Sequence, residues 1–131
     1  MGKKQNLPPQ FSPCINDFCN MVADATKNYA WNKEEMNRLD KLTQDYLHKL
    51  ELGGLDYKGR AKIATKLTQC RKLRRESKDT IEVLEPFISF LESDKGKNMM
   101  NLMRDALGKT RKVEERMVNR SYRYKVLEPE K

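Results

Sequence analysis

The sequence has few of the residues that catalysis and metal binding usually require. It contains one histidine and three cysteines. His48 lies between Leu47 and Lys49 in a charged segment, with no pattern that supplies an orienting carboxylate and a nucleophile. Cys14 and Cys19 have no second pair of ligands at metal-binding spacing. We therefore expect a protein that is not an enzyme, holds no metal and uses no cofactor.

Glycine and long apolar runs are also scarce. The six glycines form no phosphate-binding loop, and no dinucleotide-binding fingerprint is present. No apolar run is long enough to span a bilayer, so no membrane partner is expected. An odd number of cysteines without a signal peptide predicts free thiols in a reducing cytoplasm. Because only 37% of the residues are hydrophobic, the core is expected to be thin and completed by a second subunit.

Charge is what the sequence has in excess, and its two signs are segregated. The formal net charge is +8. Residues 58–78 contain nine Lys or Arg against one acid, and residues 95–125 contain ten against three acids. The intervening residues 79–94 contain five acids and no base. Clustered positive charge on a rigid scaffold attracts anions, so we predict that the protein binds one.

A single helical domain, residues 13–131, is predicted to follow a flexible basic arm at residues 1–12. Apolar residues at helical spacing predict a first helix over 13–27, which Ser12 is expected to cap. Residues 28–30 are expected to break this helix.

A second helix is predicted over residues 33–52. Asn32 is expected to cap it, and Glu35 three residues later completes a capping-box pair. Two glycines, beginning at Gly53, end it in the usual C-terminal way.

A longer helix is predicted over residues 57–93, because its apolar residues alternate steps of four and three. This period is typical of coiled-coil packing. Arg74 occupies one of the expected apolar positions. Pro86 removes a backbone hydrogen bond, so a kink is expected near residue 86. The residues at the positions of this pattern are Ile63, Leu67, Cys70, Ser77, Ile81, Leu84, Ile88 and Leu91.

The predicted fold is mainly α, an antiparallel hairpin of long, coiled-coil-like helices with a short C-terminal β-strand. A loop is expected before Asn98, and a last helix over 98–117. Residues 121–127 then alternate with a period of two, which predicts the strand. Since the chain offers no other strand to pair with it, a second subunit is expected to do so, which favours a homo-oligomer, dimeric or higher.

Arginine and tyrosine alternate near the end of the chain. Arg116 and Arg120 are four residues apart and could face one anion from a helix. Tyr122 and Tyr124 flank Arg123, a combination that suits a nucleobase and its phosphates through stacking and charge. Two simpler interpretations stay open. The basic runs can be the solvated face of a coiled coil, and the tyrosines can pack against a neighbouring chain.

Several stretches resemble small helical phage proteins of low-GC Gram-positive hosts. They are WNKEE at 31–35 leading into LDKLTQDYLH at 39–48, DYKGRAKIAT at 56–65, and GKTRKVEER at 108–116 running into NRSY at 119–122. Among such proteins the chain most resembles the Thoeris anti-defence sponges. The resemblance implies an oligomer of long helices with a short C-terminal strand, acting in the cytoplasm of an infected bacterial host. It also implies a non-catalytic role, the sequestration of a cyclic ADP-ribose isomer made by host immunity.

The leading hypothesis is a homo-oligomer that encloses a small phosphorylated nucleotide in pockets between its subunits. Such a trap needs only affinity, since it competes with a receptor for free ligand. Eight residues are candidates for contacts with this ligand. Those for phosphate are Arg60, Arg111, Arg116, Arg120 and Arg123, those for stacking on a base are Phe87 and Tyr122, and the one for a hydrogen bond is Asn98.

Two alternatives belong to other classes of protein. In the first, a basic coiled-coil phage protein binds nucleic acid along a stripe formed by the two basic runs. In the second, a coiled-coil adaptor binds one host protein. Salt separates the first from the leading hypothesis, because polyanion binding weakens steeply as salt rises and binding of a small enclosed ligand does not.

Overall fold

The computed structural model describes residues 8–120 and 126–127, and it confirms the mainly α class. The described residues contain no strand. Of the predicted strand at 121–127, only residues 126–127 are described, and they form a bend rather than a strand. The other residues of that prediction lie outside the described part of the chain. The three helices are α1 (Ser12–Leu52), α2 (Tyr57–Glu92) and α3 (Asp94–Val118).

Helices α1 and α2 form an antiparallel hairpin joined at residues 53–56. Three contacts set their alignment. Thr43 Oγ1 lies 3.4 Å from Cys70 Sγ, Arg74 Nε donates to Asp40 Oδ1, and the Tyr29 hydroxyl donates to Glu85 Oε2. Residue numbers rise along α1 as they fall along α2, so the predicted antiparallel arrangement is what the structure contains.

The interface between these two helices follows the heptad pattern. Every apolar position predicted on α2 is buried or half-buried, and so is Arg74. On α1 the inward residues also alternate steps of three and four without a gap, which keeps one stripe facing the partner helix. They are Ile15, Phe18, Val22, Ala25, Tyr29, Asn32, Met36, Leu39, Thr43, Tyr46 and Leu50.

Helix α1 is continuous where a break at residues 28–30 was predicted, so that prediction and the Asn32 cap are wrong. Asn32 is buried inside the helix, and its amide donates to the Asn28 carbonyl oxygen at 2.8 Å and to Asn28 Oδ1 at 2.6 Å. Asparagine in a helix interior costs only several tenths of a kcal/mol, roughly, relative to alanine. With no glycine or proline here, packing of the continuous stripe outweighs that cost.

The cap of α1 also differs from the prediction. Ser12 is the first helical residue, and Phe11, which precedes it, makes no side-chain capping bond. Glu114 of α3 takes this role, because its Oε2 accepts from the Phe11 amide at 2.7 Å and from the Ser12 amide at 2.9 Å. A carboxylate from another helix thus satisfies the free amide groups of this helix end.

Helix α2 continues through Pro86 and ends at Glu92, so the chain is not broken there. The loop predicted before Asn98 is wrong. Ser93 alone separates the helices and caps α3, with its Oγ accepting from the Gly96 amide at 3.1 Å. Asn98 is therefore inside α3. A Cβ atom at Gly96 would lie 1.9 Å from the Phe90 carbonyl oxygen, which is why the turn needs glycine.

Helix α3 runs alongside the first part of α1 in the opposite direction. Glu114 meets the start of α1, and the Arg111 guanidinium donates to Asn16 Oδ1 at 3.4 Å. Thr26 of α1 and Met100 of α3 line one cavity. α2 therefore packs along the later part of α1, and α3 packs along its first part.

The core is as thin as the composition predicts. Leu39 is the most completely buried side chain, with 1% of its surface exposed. None of the described helices has a stretch apolar enough to span a bilayer. Cys14, Cys19 and Cys70 are all free thiols. The buried hydrophobic residues are Ile15, Val22, Leu39, Ile63, Cys70, Ile88, Met100 and Leu107.

Candidate anion-binding surface

Four of the five arginines predicted to hold phosphate are among the described residues, and these four lie at opposite ends of the molecule. Arg60 is exposed in the first turn of α2, beside the hairpin loop. Arg111, Arg116 and Arg120 are exposed at the other end, where Arg111 contacts Asn16. The stretch of α1 between these ends is about 50 Å long at 1.5 Å per residue. One chain therefore does not bring Arg60 to the other three.

The remaining predicted contacts do not form a site either. Phe87 is half-buried on α2, and Asn98 is exposed on α3. Neither lines one of the described cavities. Tyr122 and Arg123 lie outside the described residues, so their predicted roles stay predictions.

The structure instead concentrates positive charge on two turns of α2. Arg71, Lys72, Arg75 and Lys78 are all exposed and line one shallow depression of about 530 Å³. We call these four residues the basic cluster. Arg71, Arg75 and Lys78 follow one another at steps of four and three, so they project from the same face of the helix.

The members of the basic cluster form no salt bridge with another described residue. Among the described residues, the salt bridges are Arg74–Asp40, Arg38–Glu35 and Lys109–Asp105, and none involves a member of the cluster. Arg74, which lines the same depression, is held by Asp40 across the helix interface. The cluster therefore presents four cationic groups around one anchored guanidinium, and two acids, Asp79 and Glu82, also line the depression.

Like charges at these spacings destabilise a helix by about 0.2–0.5 kcal/mol per pair. The cluster contains such pairs, and an anion that binds it removes this repulsion. From Arg71 to Lys78 the basic cluster extends about 10 Å along α2 at 1.5 Å per residue, whereas Lys66 of the same basic run lies on the opposite side of the hairpin. The depression is open and shallow, so it suits the phosphate backbone of a polyanion better than the enclosure of a single small molecule.

The cluster lies on one long side of the hairpin, which we call the charged side. This side carries Lys33 and Asp40 of α1 and Arg71, Lys78 and Glu85 of α2. One contact between the helices and one within α1 hold side chains of this side in place. The Tyr29 hydroxyl donates to Glu85, and Lys33 Nζ lies 4.8 Å from the centre of the Tyr29 ring. A hydrogen bond with Tyr29 raises the pKa of Lys33 above its ordinary value.

A second cavity, of about 430 Å³, lies where the three helices meet. We call it the junction cavity. Val22, Ile88 and Met100 are buried beneath it. Lys97 and Arg104 of α3 supply cationic groups at its lining, which also includes Glu92 of α2. Its volume falls in the range of roughly 300–1,000 Å³ that small-molecule sites occupy.

The described residues contain no group of three or more His, Cys, Asp or Glu placed to hold a metal ion. Two carboxyl groups have a lowered pKa, and in both the cause is hydrogen bonding within the fold. Hydrogen bonds from Ser12, through its side chain and amide, and from the Phe11 amide lower the pKa of Glu114. A hydrogen bond from Arg38 lowers the pKa of Glu35.

The sequence contained a signal for the basic cluster that the candidate residues did not use. The whole run 58–78 was recognised as basic, but Arg60 alone was chosen from it. The i, i+4, i+7 spacing of Arg71, Arg75 and Lys78 identifies one helix face directly. Lys97 and Arg104 had no such signal, because only the packing of α3 against α1 and α2 makes the junction cavity.

Comparison with known proteins adds no relationship to this geometry. No protein-family model, curated protein or solved structure matches the chain. Any functional conclusion therefore depends on the surface and cavities described above.

Proposed function

We propose that the protein is a non-catalytic nucleic-acid-binding protein whose basic cluster contacts the phosphate backbone. The observation that carries the proposal is that Arg71, Lys72, Arg75 and Lys78 are exposed together and free of salt bridges within the described residues. Backbone contacts of this kind supply affinity with no sequence preference.

The dimensions of the basic cluster support a phosphate backbone as the ligand. Arg71, Arg75 and Lys78 span about 10 Å at 1.5 Å per residue, the length that about three phosphates of one strand of B-form DNA occupy at roughly 3.4 Å each. The basic cluster contains no aromatic side chain on which an unpaired base could stack, which favours a duplex over a single strand.

A salt titration with a matched pair of variants tests this function. In the first variant Arg71, Arg75 and Lys78 are replaced by Gln, and binding to a labelled 20-base-pair DNA is followed by fluorescence anisotropy. We expect affinity to fall more than roughly tenfold and the slope of log K against log salt to become shallower by about 3, because three phosphate contacts are lost.

The matched control removes the same charge from elsewhere on the surface. Lys27, Lys41 and Lys49 are exposed on α1 and lie outside the basic cluster, and all three are replaced by Gln. This variant is expected to bind within about threefold of the unaltered protein, the residual effect of net charge. Equal losses in the two variants, or no binding of duplex DNA or RNA by the unaltered protein, would overturn the proposal.

Nucleotide sequestration is the second candidate, and the junction cavity favours it. The cavity combines an apolar floor with Lys97 and Arg104, the combination that a base with attached phosphates requires. A thermal-shift panel of linear and cyclic nucleotides, followed by recovery of the ligand after denaturation, tests it. Stabilisation that is lost when Lys97 and Arg104 are replaced by Gln, with the ligand recovered unchanged, would favour this function over nucleic-acid binding.

A matched control for that panel replaces Lys95 and Lys112 by Gln. Both are exposed on α3 and neither lines the junction cavity. This variant should retain any nucleotide-dependent stabilisation. Recovery of a chemically altered nucleotide would instead contradict the non-catalytic role shared by both candidates.

A further inference from the structure

We propose that a second copy of this chain binds, antiparallel, to the long side of the hairpin opposite the charged side. We call this surface the apolar side. It comprises Met21 and Trp31 of α1 and Leu73, Val83 and Phe90 of α2. The inference is independent of the proposed nucleic-acid binding, because the groove on this side shares no residue with the basic cluster.

The apolar side contains a continuous groove between α1 and α2. One depression of about 460 Å³ is lined by Met21, Asn28 and Leu84 among others. A second, of about 280 Å³, is lined by Asn28, Trp31 and Leu73 among others. Asn28 lines both, so the two depressions adjoin and extend along the hairpin.

Large apolar side chains border this groove and face solvent in the single chain. Trp31 is 59% exposed and Leu73 is 49% exposed. Met21, Val83 and Phe90 are also exposed. One such residue on a surface is ordinary, but a row of them beside a groove is typical of an interaction site. A buried tryptophan of this kind removes roughly 150–250 Å² from water.

The apolar side carries little net charge, so repulsion between two copies is weaker there than over the strongly basic surface as a whole. The chain as a whole carries +8, so two copies repel each other. On this side the α1 strip holds Asp17, Asp24 and Glu35 against Arg38. The α2 strip holds one lysine and one glutamate, Lys66 and Glu76. The sum is therefore −2, from four acids and two bases.

An antiparallel copy pairs opposite charges around Trp31. Asp24 and Arg38 are each seven residues from Trp31, so all three lie on the same strip of the helix. A two-fold axis at Trp31 places Asp24 of one copy opposite Arg38 of the other, twice. A parallel copy would place Asp24 against Asp24. Arg38 is bonded to Glu35 through Nε and Nη2, which leaves its remaining donors for the partner.

The available area is sufficient for a stable dimer. The strip from Asp17 to Leu42 is about 38 Å long, and two helices are roughly 20 Å wide, which gives about 750 Å² per copy. Specific interfaces bury about 800 Å² per partner. The basic clusters of both copies stay exposed in this arrangement, so one particle presents two of them.

Sedimentation velocity of the full chain, with one leucine replaced on each side of the hairpin, tests the surface. Leu73 on the apolar side and Leu47 on the charged side are nearly equally exposed, 49% and 47%. The unaltered chain is expected to sediment as a dimer of twice 15.4 kDa. Leu73→Glu is expected to weaken self-association at least tenfold, and Leu47→Glu to leave it within twofold.

Circular dichroism of both variants checks that each remains helical. A chain that stays monomeric at about 100 μM, or one whose mass responds to Leu47→Glu and not to Leu73→Glu, would overturn the proposal. Either result would assign the apolar side to a different protein or leave it solvated.

A charge exchange tests the antiparallel alignment by itself. Asp24→Arg and Arg38→Asp each place like charges opposite each other, and each is expected to weaken self-association about tenfold. The double variant restores opposite charges and is expected to return to within threefold of the unaltered chain. Losses that simply add in the double variant would rule out this alignment.

Discussion

The two long sides of the α1–α2 hairpin differ although the same pair of helices forms both. On the charged side, Arg74 bonds to Asp40 and Tyr29 bonds to Glu85 across the interface. On the apolar side, among the described residues, no hydrogen bond or salt bridge joins the two helices. Glu35 there bonds to Arg38 of its own helix instead.

The difference separates what aligns the hairpin from what remains free to bind. Packing of the heptad stripe holds the helices together, and the polar contacts of the charged side fix their relative position. Since the apolar side contributes no such contact, a partner can cover it without disturbing the alignment. The basic cluster is likewise free, because Arg74 alone, among the cations lining its depression, is used in a salt bridge.

The largest effect is expected from a substitution in the interface between α1 and α2, which both sides of the hairpin share. Leu39 is 1% exposed at the centre of the α1–α2 interface. Leu39→Ala is expected to lower the free energy of unfolding by about 2–5 kcal/mol through lost burial and a cavity. Chemical denaturation at one fixed protein concentration measures it. Leu52→Ala, at an exposed position, is the control and should change stability by less than about 0.5 kcal/mol.

Much of the fold could be predicted because helix packing is a local, periodic signal. The stripe on α2 was predicted position by position, including Arg74. The predicted break at residues 28–30 was wrong because the helical period was not followed through these residues. The steps of three and four continue from Ala25 through Tyr29 to Asn32, and that continuity predicts a single helix.

Other features depend on contacts that no local pattern contains. Ser12 was a reasonable cap from its residue type, yet the cap of α1 comes from Glu114, which is more than a hundred residues away. The loop predicted before Asn98 was wrong because Gly96 lies in the first turn of α3, where the close approach of the Phe90 carbonyl requires a glycine. The junction cavity likewise exists only after α3 has packed.

A smaller effect tests whether the contacts of the charged side stabilise the hairpin. Arg74→Met removes the bond to Asp40 while retaining the apolar part of the side chain, and it is expected to cost about 1 kcal/mol. Arg38→Met removes a salt bridge within one helix on the apolar side, expected to cost about 0.3 kcal/mol. Equal losses, measured by chemical denaturation at concentrations where the chain is monomeric, would remove the distinction between the two sides.

Substitutions in the basic cluster are expected to raise the stability of the fold, not to lower it. Replacing Arg71, Arg75 and Lys78 by Gln relieves repulsion between charges three and four residues apart, so stability is expected to rise by about 0.5–1 kcal/mol. The same variant is the one expected to lose nucleic-acid binding. Thermal unfolding at low and high salt measures the gain, which screening should reduce. A fall in melting temperature at low salt would mean that these cations stabilise the fold.

The smallest expected effect is at the start of α1. This part of α1 extends beyond the end of α2, so it belongs to neither side of the hairpin. The pKa of Glu114 is lower in the folded chain than in the unfolded one because Ser12 and Phe11 donate hydrogen bonds to it. Its contribution is therefore fully present above the ordinary glutamate pKa of about 4.3 and is lost as pH falls below that value. Glu114→Gln should be slightly less stable at neutral pH and should lose less stability on acidification.

Amide hydrogen exchange at the first turn of α1 measures this contribution directly. The Ser12 amide is expected to exchange faster in Glu114→Gln than in the unaltered chain at pH 7, and the difference should shrink as pH approaches 3. Glu115→Gln is the control, because Glu115 is exposed on the same helix and its side chain makes no hydrogen bond or salt bridge with the described residues of α1. Equal exchange in all three chains would mean that the free amide groups at this helix end need no carboxylate, and that α3 is held by its apolar residues alone.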